Sequence, residues 1–186
     1  MPGDAPVDWL IVGLGNPGAE YDGTRHNVGF EVANVLARRW DLPKARSKYR
    51  GLLTEGRTGP GGPRVAILKP MTYMNDAGDS VSPARGAFKV DLDRVLVIHD
   101  EIDLPFGEIR VRTGGGLAGH NGLKSLRARL GSPDFARIRI GVGRPPTTDP
   151  DRVAAYVLGR FREPKDDVQQ LIERAAEVAE ETVLGE

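Results

Sequence analysis

The distribution of apolar residues along the chain predicts a set of short strands. Residues 9–12 form a brief apolar run bounded by glycine, which is typical of a buried strand. Residues 95–98, Val-Leu-Val-Ile, are the most continuous apolar run and predict a central strand buried on both faces. In residues 137–142, Arg137, Arg139 and Gly141 alternate with the apolar Ile138, Ile140 and Val142, and this alternation predicts a half-exposed strand.

Helical periodicity fills the intervals between these strands. Apolar residues share one helical face from Val28 to Trp40, and a second helix is expected to end near Phe88. Leucines at positions 123, 126 and 130 indicate a third helix, and residues 168–183 a long amphipathic one. The strands are completed by residues 49–54, 64–68 and 108–112. Because strands and helices alternate without a repeat or a linker, we predict one α/β domain over residues 1–186.

The turn after the first strand contains the spacing G-x-G-x-x-G at Gly13, Gly15 and Gly18, which is found in dinucleotide-binding folds. That motif requires the glycines to open a helix directly, so that the helix N-terminus can hold a pyrophosphate. Here Pro17 and the residues after it delay the helix by about ten residues, and no second strand with a terminal acid follows at about 20 residues. We therefore predict no NAD site.

Charge and composition narrow the possible partners. Basic and acidic residues number 26 each, which predicts no general affinity for nucleic acid. Residues 105–144, however, contain eight basic and two acidic residues, a local charge of +6, while residues 163–186 carry −6. Such a polarised chain could bind a polyanion on one face. The alternative is codon bias, since arginine outnumbers lysine 20 to 6.

Several functions are excluded or disfavoured by what the sequence lacks. It has no cysteine, and therefore no disulfide, thiolate metal site or cysteine nucleophile. The N-terminal residues 1–8 do not resemble a signal peptide. No apolar run approaches the roughly 20 residues that span a bilayer. We expect a cytoplasmic protein that does not contact membranes.

Polar side chains follow the ends of four predicted strands. They are Asn16 with His26, then Asn75, then Asp100, and finally His120 with Asn121. If the sheet brings these strand ends together, the pocket contains a base, a carboxylate and three amides. Amides donate and accept hydrogen bonds at once, which suits a peptide-like substrate.

Each of these residues also has an ordinary structural interpretation. Asn16 precedes Pro-Gly and is a good turn former, and Asn75 and Asn121 could cap helices. Asp100 could be a solvated acid at a strand end, and His99 a strand residue that faces the core. Only their joint placement favours a functional site.

The chemistry of such a site is reached by elimination. No G-x-S-x-G or H-E-x-x-H motif occurs, and three histidines scattered along the sequence make a poor zinc site. A histidine that acts as general base on water remains, with a carboxylate that fixes its tautomer. This step supplies about 10²–10⁴-fold in rate, which suits an activated ester better than an amide.

Four segments, in this order and spacing, closely resemble bacterial-type peptidyl-tRNA hydrolase: GLGNPGAEYDGTRHNVGF, KPMTYMNDAG, HDEIDLPFGEIRVRTGGGLAGHNGLKS and FARIRIGVGRP. The resemblance covers residues 10–161. It implies a monomeric, single-domain α/β enzyme with a mixed, twisted β-sheet flanked by helices on both faces, and with no metal or cofactor. Its implied substrate is peptidyl-tRNA, cleaved at the ester between the peptide and the terminal ribose. That reaction recycles tRNA from stalled or aborted translation.

The resemblance also implies roles for individual residues. His26 resembles the catalytic base and Asp100 the carboxylate that orients it. The implied substrate-binding residues are the amides Asn16, Asn75 and Asn121, the pocket-wall residues Tyr21 and Met74, His120 at the mouth of the cleft, and Arg112 and Arg139 near the tRNA 5′ phosphate. Ala77, where a serine is common, and Leu117, inside the glycine loop, depart from the family pattern and concern only loop detail.

Two other functions remain open. A non-catalytic tRNA- or RNA-binding relative would keep the fold and the basic face, but it would have less need of His26 and Asp100 together. A hydrolase of small esters or peptides would keep the base and leave the basic segment unexplained.

Overall fold

The computed structural model describes residues 4–186. The predicted lack of a signal peptide partly concerns residues 1–3, which lie outside the described residues. The strands are β1 (Trp9–Gly13), β2 (Arg46–Lys48), β3 (Gly51–Arg57), β4 (Arg64–Pro70), β5 (Val95–Glu101), β6 (Ile109–Thr113) and β7 (Ala136–Gly141). The α-helices are α1 (Val28–Arg39), α2 (Gly78–Phe88), α3 (Asn121–Leu130), α4 (Pro150–Val157) and α5 (Lys165–Leu184).

The strands form one seven-stranded mixed sheet in the order β2-β3-β4-β1-β5-β7-β6. Strand β1 pairs in parallel with β4 on one side and β5 on the other, and β7 continues the parallel set beside β5. The pairs β2–β3, β3–β4 and β6–β7 are antiparallel. The carboxyl ends of β1, β4, β5 and β7 therefore meet at one edge of the sheet, which is where open α/β folds place their sites.

Helices cover both faces of the sheet. One core packs α1 and α5 against side chains such as Ile11 and Ile98, and the other packs α2 and α3 against Leu10 and Val97. Every residue of β5 is buried, as its continuous apolar run predicts. The predicted α/β fold with a mixed sheet between helices is confirmed.

Strand β7 differs from its prediction as a half-exposed strand. Its residues are buried except for a partly exposed Arg139, and Arg137 is only 2% exposed. The Arg137 guanidinium donates hydrogen bonds to the carbonyl oxygens of Gly115, Gly116 and Pro133. Since the glycine loop folds over this strand and accepts those bonds, the alternating arginine is buried. The neighbouring edge strand β6 is the exposed one instead.

Two elements were not predicted. Strand β2 is short and polar, and Tyr49 and Arg50 after it form a turn with positive φ, so that β3 begins only at Gly51. Helix α4 has only eight residues, and none of them is buried. Its capping signal is nevertheless present: the Asp149 side chain accepts a hydrogen bond from the backbone of Asp151. Across residues 4–186, no helix has the length and apolar character needed to cross a membrane.

Two glycines set the distance between α1 and the sheet. A Cβ on Gly13 would lie 2.4 Å from the carbonyl oxygen of Gly29, and a Cβ on Gly29 would lie 2.4 Å from that of Ile98. Helix α1 thus begins almost in contact with the ends of β1 and β5. Of the glycines of the first turn, Gly13 and Gly15 lie against α1 in this way. The 3-10 turn Arg25–Asn27 then leads into α1.

Candidate active site

A buried imidazole–carboxylate pair lies at the carboxyl edge of the sheet. His26 belongs to the turn before α1, and Asp100 is the sixth residue of β5. Their side chains meet at 2.8 Å, from Nδ1 of His26 to Oδ2 of Asp100, and both residues are buried. The two residues are 74 positions apart in sequence, and the close approach of α1 to β5 brings them together.

Asp100 holds a second histidine in the same way. His120 Nε2 lies 2.8 Å from the other carboxylate oxygen of Asp100, while its Nδ1 accepts hydrogen bonds from the backbone of Gly122 and Leu123. Since Nδ1 accepts, the ring proton is on Nε2, and His120 is a neutral imidazole that donates to Asp100. His120 also serves as the N-cap of α3.

His120, which the family resemblance places at the mouth of the cleft, is one of the residues that line the cleft. Its side chain is 7% exposed and lies next to Asp100. Its hydrogen bonds to the start of α3 hold the ring in this position. His99, the remaining histidine, is buried with its ring centroid 5.2 Å from that of His120, so all three histidines of the chain cluster around one carboxylate.

The electrostatics of the cluster determine which groups donate hydrogen bonds and which accept them. Burial alone would raise the pKa of Asp100, but the two neighbouring imidazoles hold that pKa far below its usual range. Burial would lower the pKa of His26, yet the charge and hydrogen bond of Asp100 raise it above 6.5. Asp100 is therefore an ionised acceptor, His26 donates from Nδ1, and Nε2 of a neutral His26 keeps a free lone pair.

His99 behaves differently from the other two histidines. Burial, followed by the nearby His120, lowers its pKa to about 3, and the ring therefore stays neutral at physiological pH. Its Nδ1 lies 2.8 Å from the backbone oxygen of Asp100 and donates to it. His99 faces the core, as one of the structural interpretations expected.

A cleft of about 720 Å³ opens above the pair, and most of the predicted site residues line it. They are Asn16, His26, Met74, Asn75, Asp100, His120 and Asn121. Tyr21 lies one layer out and packs edge-to-face against Tyr73, which does line the cleft. The predicted convergence of the strand ends is thus observed in the fold.

The asparagines occupy three different settings. Asn16 is buried, and its side-chain oxygen accepts from the backbone of Met74 at 2.7 Å, so only the amide donors remain for a ligand. Its backbone exchanges two hydrogen bonds with the side chain of Asn27, which holds the loop in place. Asn75 and Asn121 are exposed on the cleft, and neither caps a helix, since His120 caps α3.

The two arginines predicted to contact tRNA lie on the β6–β7 ribbon and differ in their partners. Arg139 donates from Nε to Glu101 at 3.0 Å and is mostly buried. Arg112 is exposed on the edge strand, with its guanidinium against Gly115, and no carboxylate of residues 4–186 forms an ion pair with it. Arg112 is therefore the more available of the two for a phosphate.

The side chains of His26, Asp100 and His120 also offer three potential metal ligand atoms within 4.8 Å of one another. The histidines are far apart in the sequence, but the fold brings them close together. Each imidazole nitrogen facing Asp100, however, donates a proton to it in the tautomers described above. A metal would have to replace both hydrogen bonds.

Part of the cleft wall was not predicted from the sequence. Helix α4 and the residue after it contribute Pro150, Val153, Ala154, Val157 and Leu158. Tyr73 adds an exposed aromatic ring on the cleft. The cap at Asp149, with proline next to it and apolar residues at 153, 156 and 157, was the signal that could have revealed α4.

An ionised carboxylate that orients a histidine, set in an amide-lined cleft at the sheet edge, is an arrangement found in hydrolases. Comparison with known families identifies which one. The family described as Peptidyl-tRNA hydrolase matches residues 10–186. The chain belongs to the peptidyl-tRNA hydrolase family, as its motifs predicted.

Individual relatives agree over nearly the whole chain. The peptidyl-tRNA hydrolase of Halalkalibacterium halodurans is 51% identical over 172 residues, which cover 92% of this chain and 91% of the relative. That of Geobacillus kaustophilus is 49% identical over 175 residues, 94% and 92% of the two chains. The crystal structure of the Acinetobacter baumannii enzyme superposes with a TM-score of 0.82 at 39% identity, covering 95% of this chain and 87% of that one.

Proposed function

We propose that this chain hydrolyses the ester bond between a peptide and the terminal ribose of tRNA, with His26 as general base on water. The observation that carries this proposal is the 2.8 Å contact between His26 Nδ1 and the ionised Asp100, which leaves Nε2 as the free base in a cleft. Family membership supplies the substrate class, because the curated relatives are named peptidyl-tRNA hydrolases.

The reaction uses the two ring nitrogens of His26 in different ways. Nε2 takes a proton from water as the water oxygen forms a bond to the ester carbonyl carbon, and Asp100 stabilises the imidazolium that results. The tetrahedral intermediate then releases the ribose oxygen, which takes the proton back from Nε2. The products are the peptide acid, which releases its proton to solvent and becomes a carboxylate, and a tRNA with an intact terminal ribose.

His120 shares with His26 the carboxylate of Asp100. It donates to the second oxygen of that carboxylate, and this bond helps to hold the carboxylate against the His26 ring. His120 is thus a positioning residue that acts through Asp100.

The amides place the substrate. The free donors of Asn16 are directed by the bond that Met74 makes to its oxygen, and Asn75 and Asn121 approach the cleft from two other elements. Amide groups of this kind match the alternating carbonyl and N–H groups of a peptide backbone. Tyr21 supports this wall through its contact with Tyr73.

The RNA partner is recognised by the basic edge of the sheet. Arg112 has no carboxylate partner among the described residues and offers its guanidinium to a phosphate. Arg139 would contribute only if a phosphate competed with Glu101 for it. We assign the tRNA 5′ phosphate to this edge, with Arg112 as the principal contact.

The proposal includes no metal and a monomeric enzyme. The absence of a metal requirement is supported by the two N–H donors that occupy Asp100, and the monomer by the family resemblance alone. We expect full activity from protein that is purified and assayed in the presence of a zinc chelator. The chelator is added after the tRNA has been folded.

The decisive test compares wild-type protein with His26→Ala on N-acetylated aminoacyl-tRNA, free aminoacyl-tRNA and a small ester. We expect cleavage of the N-blocked tRNA by the wild type and a loss of about 10²–10⁴-fold or more in the variant, with tRNA binding retained. His99→Gln is the matched control, since it removes an imidazole outside the cleft. Near-normal cleavage by a folded His26→Ala would remove His26 from the mechanism, and binding without cleavage by the wild type would favour the non-catalytic relative.

A further inference from the structure

Arg25, the residue before His26, is a buried charge without an acidic partner. It is 4% exposed, and no carboxylate of residues 4–186 lies within ion-pair distance of it. Burial of an unpaired charge is unfavourable unless other groups stabilise it. Here the guanidinium carbon stacks 3.8 Å from the centroid of the Tyr156 ring, and Nη1 donates to the Tyr156 backbone oxygen at 2.8 Å.

These contacts join the turn that carries His26 to helix α4. The backbone N–H of Arg25 donates to Gly159 at 3.0 Å, and Thr24 forms an isolated β-bridge with Arg160 just beyond. The cation also lies at the C-terminal end of α4, where the helix dipole favours positive charge. Side chain and main chain of Arg25 thus hold the same end of α4.

Helix α4 needs such an attachment. It has eight residues and none of them is buried, so the hydrophobic core does not fix its position. Its other anchor is the Tyr156 hydroxyl, which donates to the backbone oxygen of Val142 at 2.6 Å. Tyr156 is therefore held from two sides, by Arg25 through its ring face and by Val142 through its hydroxyl.

The face of α4 that these anchors position is the apolar wall of the cleft. Val153, Ala154 and Val157 line the cleft together with Leu158, while His26 and Asp100 line the same cleft with polar groups. The distance between this apolar wall and His26 is set by the contacts that attach α4 to the turn carrying His26. Arg25 makes that connection directly.

We propose that Arg25 is a positioning residue that fixes α4 as the binding wall for an apolar side chain on the acyl group, at a set distance from His26. This inference rests on the proposed function, since the acyl group is that of the peptidyl-tRNA ester. The wall favours esters whose C-terminal amino acid is large and apolar, and it contributes to substrate binding more than to the chemical step.

The experiment compares Arg25→Lys and Arg25→Gln with wild type on N-acetyl-phenylalanyl-tRNA and N-acetyl-glycyl-tRNA. Lysine keeps the charge but loses the planar stack and the fork of donors, and glutamine loses the charge as well. We expect KM for the phenylalanyl substrate to rise roughly 5- to 30-fold, the range that a lost cation–π contact predicts. KM for the glycyl substrate, kcat and the inflection of the pH profile should change little.

Two further variants separate positioning of α4 from damage to the neighbouring His26. Tyr156→Leu removes the ring from the α4 side, far from His26 in sequence, and should reproduce the effect of Arg25→Gln without adding to it in the double variant. Arg162→Gln removes an exposed guanidinium close by in the chain and should leave both substrates unaffected. Circular dichroism verifies folding.

Hydrogen exchange of the α4 amides tests the attachment without any substrate. We expect these amides to exchange faster in Arg25→Gln than in wild type while those of α1 stay unchanged. The inference is overturned if α4 exchange and the phenylalanyl KM are both unaltered, or if kcat falls with a shifted pH profile while KM stays constant. A wild type inactive on both tRNA substrates would overturn the proposed function instead, and the exchange result would still report on α4.

Discussion

Replacement of Asp100 by asparagine tests the site at the atom on which the hydrogen bonds converge. The carboxylate accepts two N–H groups at 2.8 Å, one from His26 and one from His120. An asparagine of the same shape has a single oxygen to accept with, and its NH₂ group must face the other ring. One of the two histidines must then present a lone pair where it now presents a proton.

His120 cannot make that change without losing other bonds. Its Nδ1 accepts from Gly122 and Leu123, so its proton stays on Nε2 and claims the asparagine oxygen. His26 consequently accepts at Nδ1 and carries its proton on Nε2, where the base is required. In a histidine–aspartate protease the equivalent wrong tautomer lowers kcat about 10⁴-fold. We expect a loss of roughly 10³–10⁴-fold here, about 4–5.5 kcal/mol in activation free energy, with KM nearly unchanged.

Single-turnover cleavage of N-blocked aminoacyl-tRNA measures this loss apart from product release. The double variant Asp100→Asn with His120→Ala sharpens the test, because without the competing N–H the asparagine oxygen can accept from His26 again. We expect the double variant to be at least about tenfold faster than Asp100→Asn alone, even though α3 loses its cap. An Asp100→Asn enzyme that retains a tenth of wild-type activity, or a double variant slower than the single one, would refute the tautomer reasoning.

Three further predictions follow from the same structure. The pH profile of kcat/KM should rise as His26 loses its proton, with an inflection above 6.5 because Asp100 raises the pKa of His26. In Asp100→Asn this inflection should fall below 6.5, since burial of His26 is then no longer opposed by the carboxylate. An inflection that does not move would mean that another group titrates there. Arg112→Ala should raise KM for tRNA substrates and reduce the slope of the log of the binding constant against log salt by roughly 0.7–0.9. A minimal substrate without the 5′ phosphate should be cleaved as before. Equal losses on both substrates would mean that Arg112 supports the fold. Gly29→Ala should lower the free energy of unfolding, measured in denaturant, by about 1–3 kcal/mol and reduce activity, because the new Cβ would lie 2.4 Å from the backbone oxygen of Ile98. An unchanged midpoint of denaturant unfolding would show that α1 can shift freely.

Much of the architecture could be predicted from the sequence because it depends on burial patterns within single segments. The run at residues 95–98 was long and apolar enough to identify the central strand β5, and the periodicity from Val28 identified α1. The same segments placed His26 and Asp100 at strand and turn ends, where an α/β sheet brings groups together. Their pairing was therefore predictable in kind.

Other features depend on contacts between segments that are far apart in the chain. Alternation made Arg137 a surface residue, and only the glycine loop folded over β7 explains its burial. Helix α4 has only eight residues and none of them is buried, and it is joined to the site by Arg25, a residue 131 positions away from Tyr156 in the chain.

The histidine cluster shows most clearly which features follow from the sequence and which follow from the tertiary structure. The sequence by itself determined the residue types, the elements that carry them and, through the motifs, the family. Only the tertiary structure decided that Asp100 would accept from His26 and His120 at once. The physical reason is that secondary structure follows from the local alternation of apolar and polar residues. A hydrogen bond between residues 74 positions apart follows from how closely two elements pack, and here that packing is set by the missing side chain of Gly29.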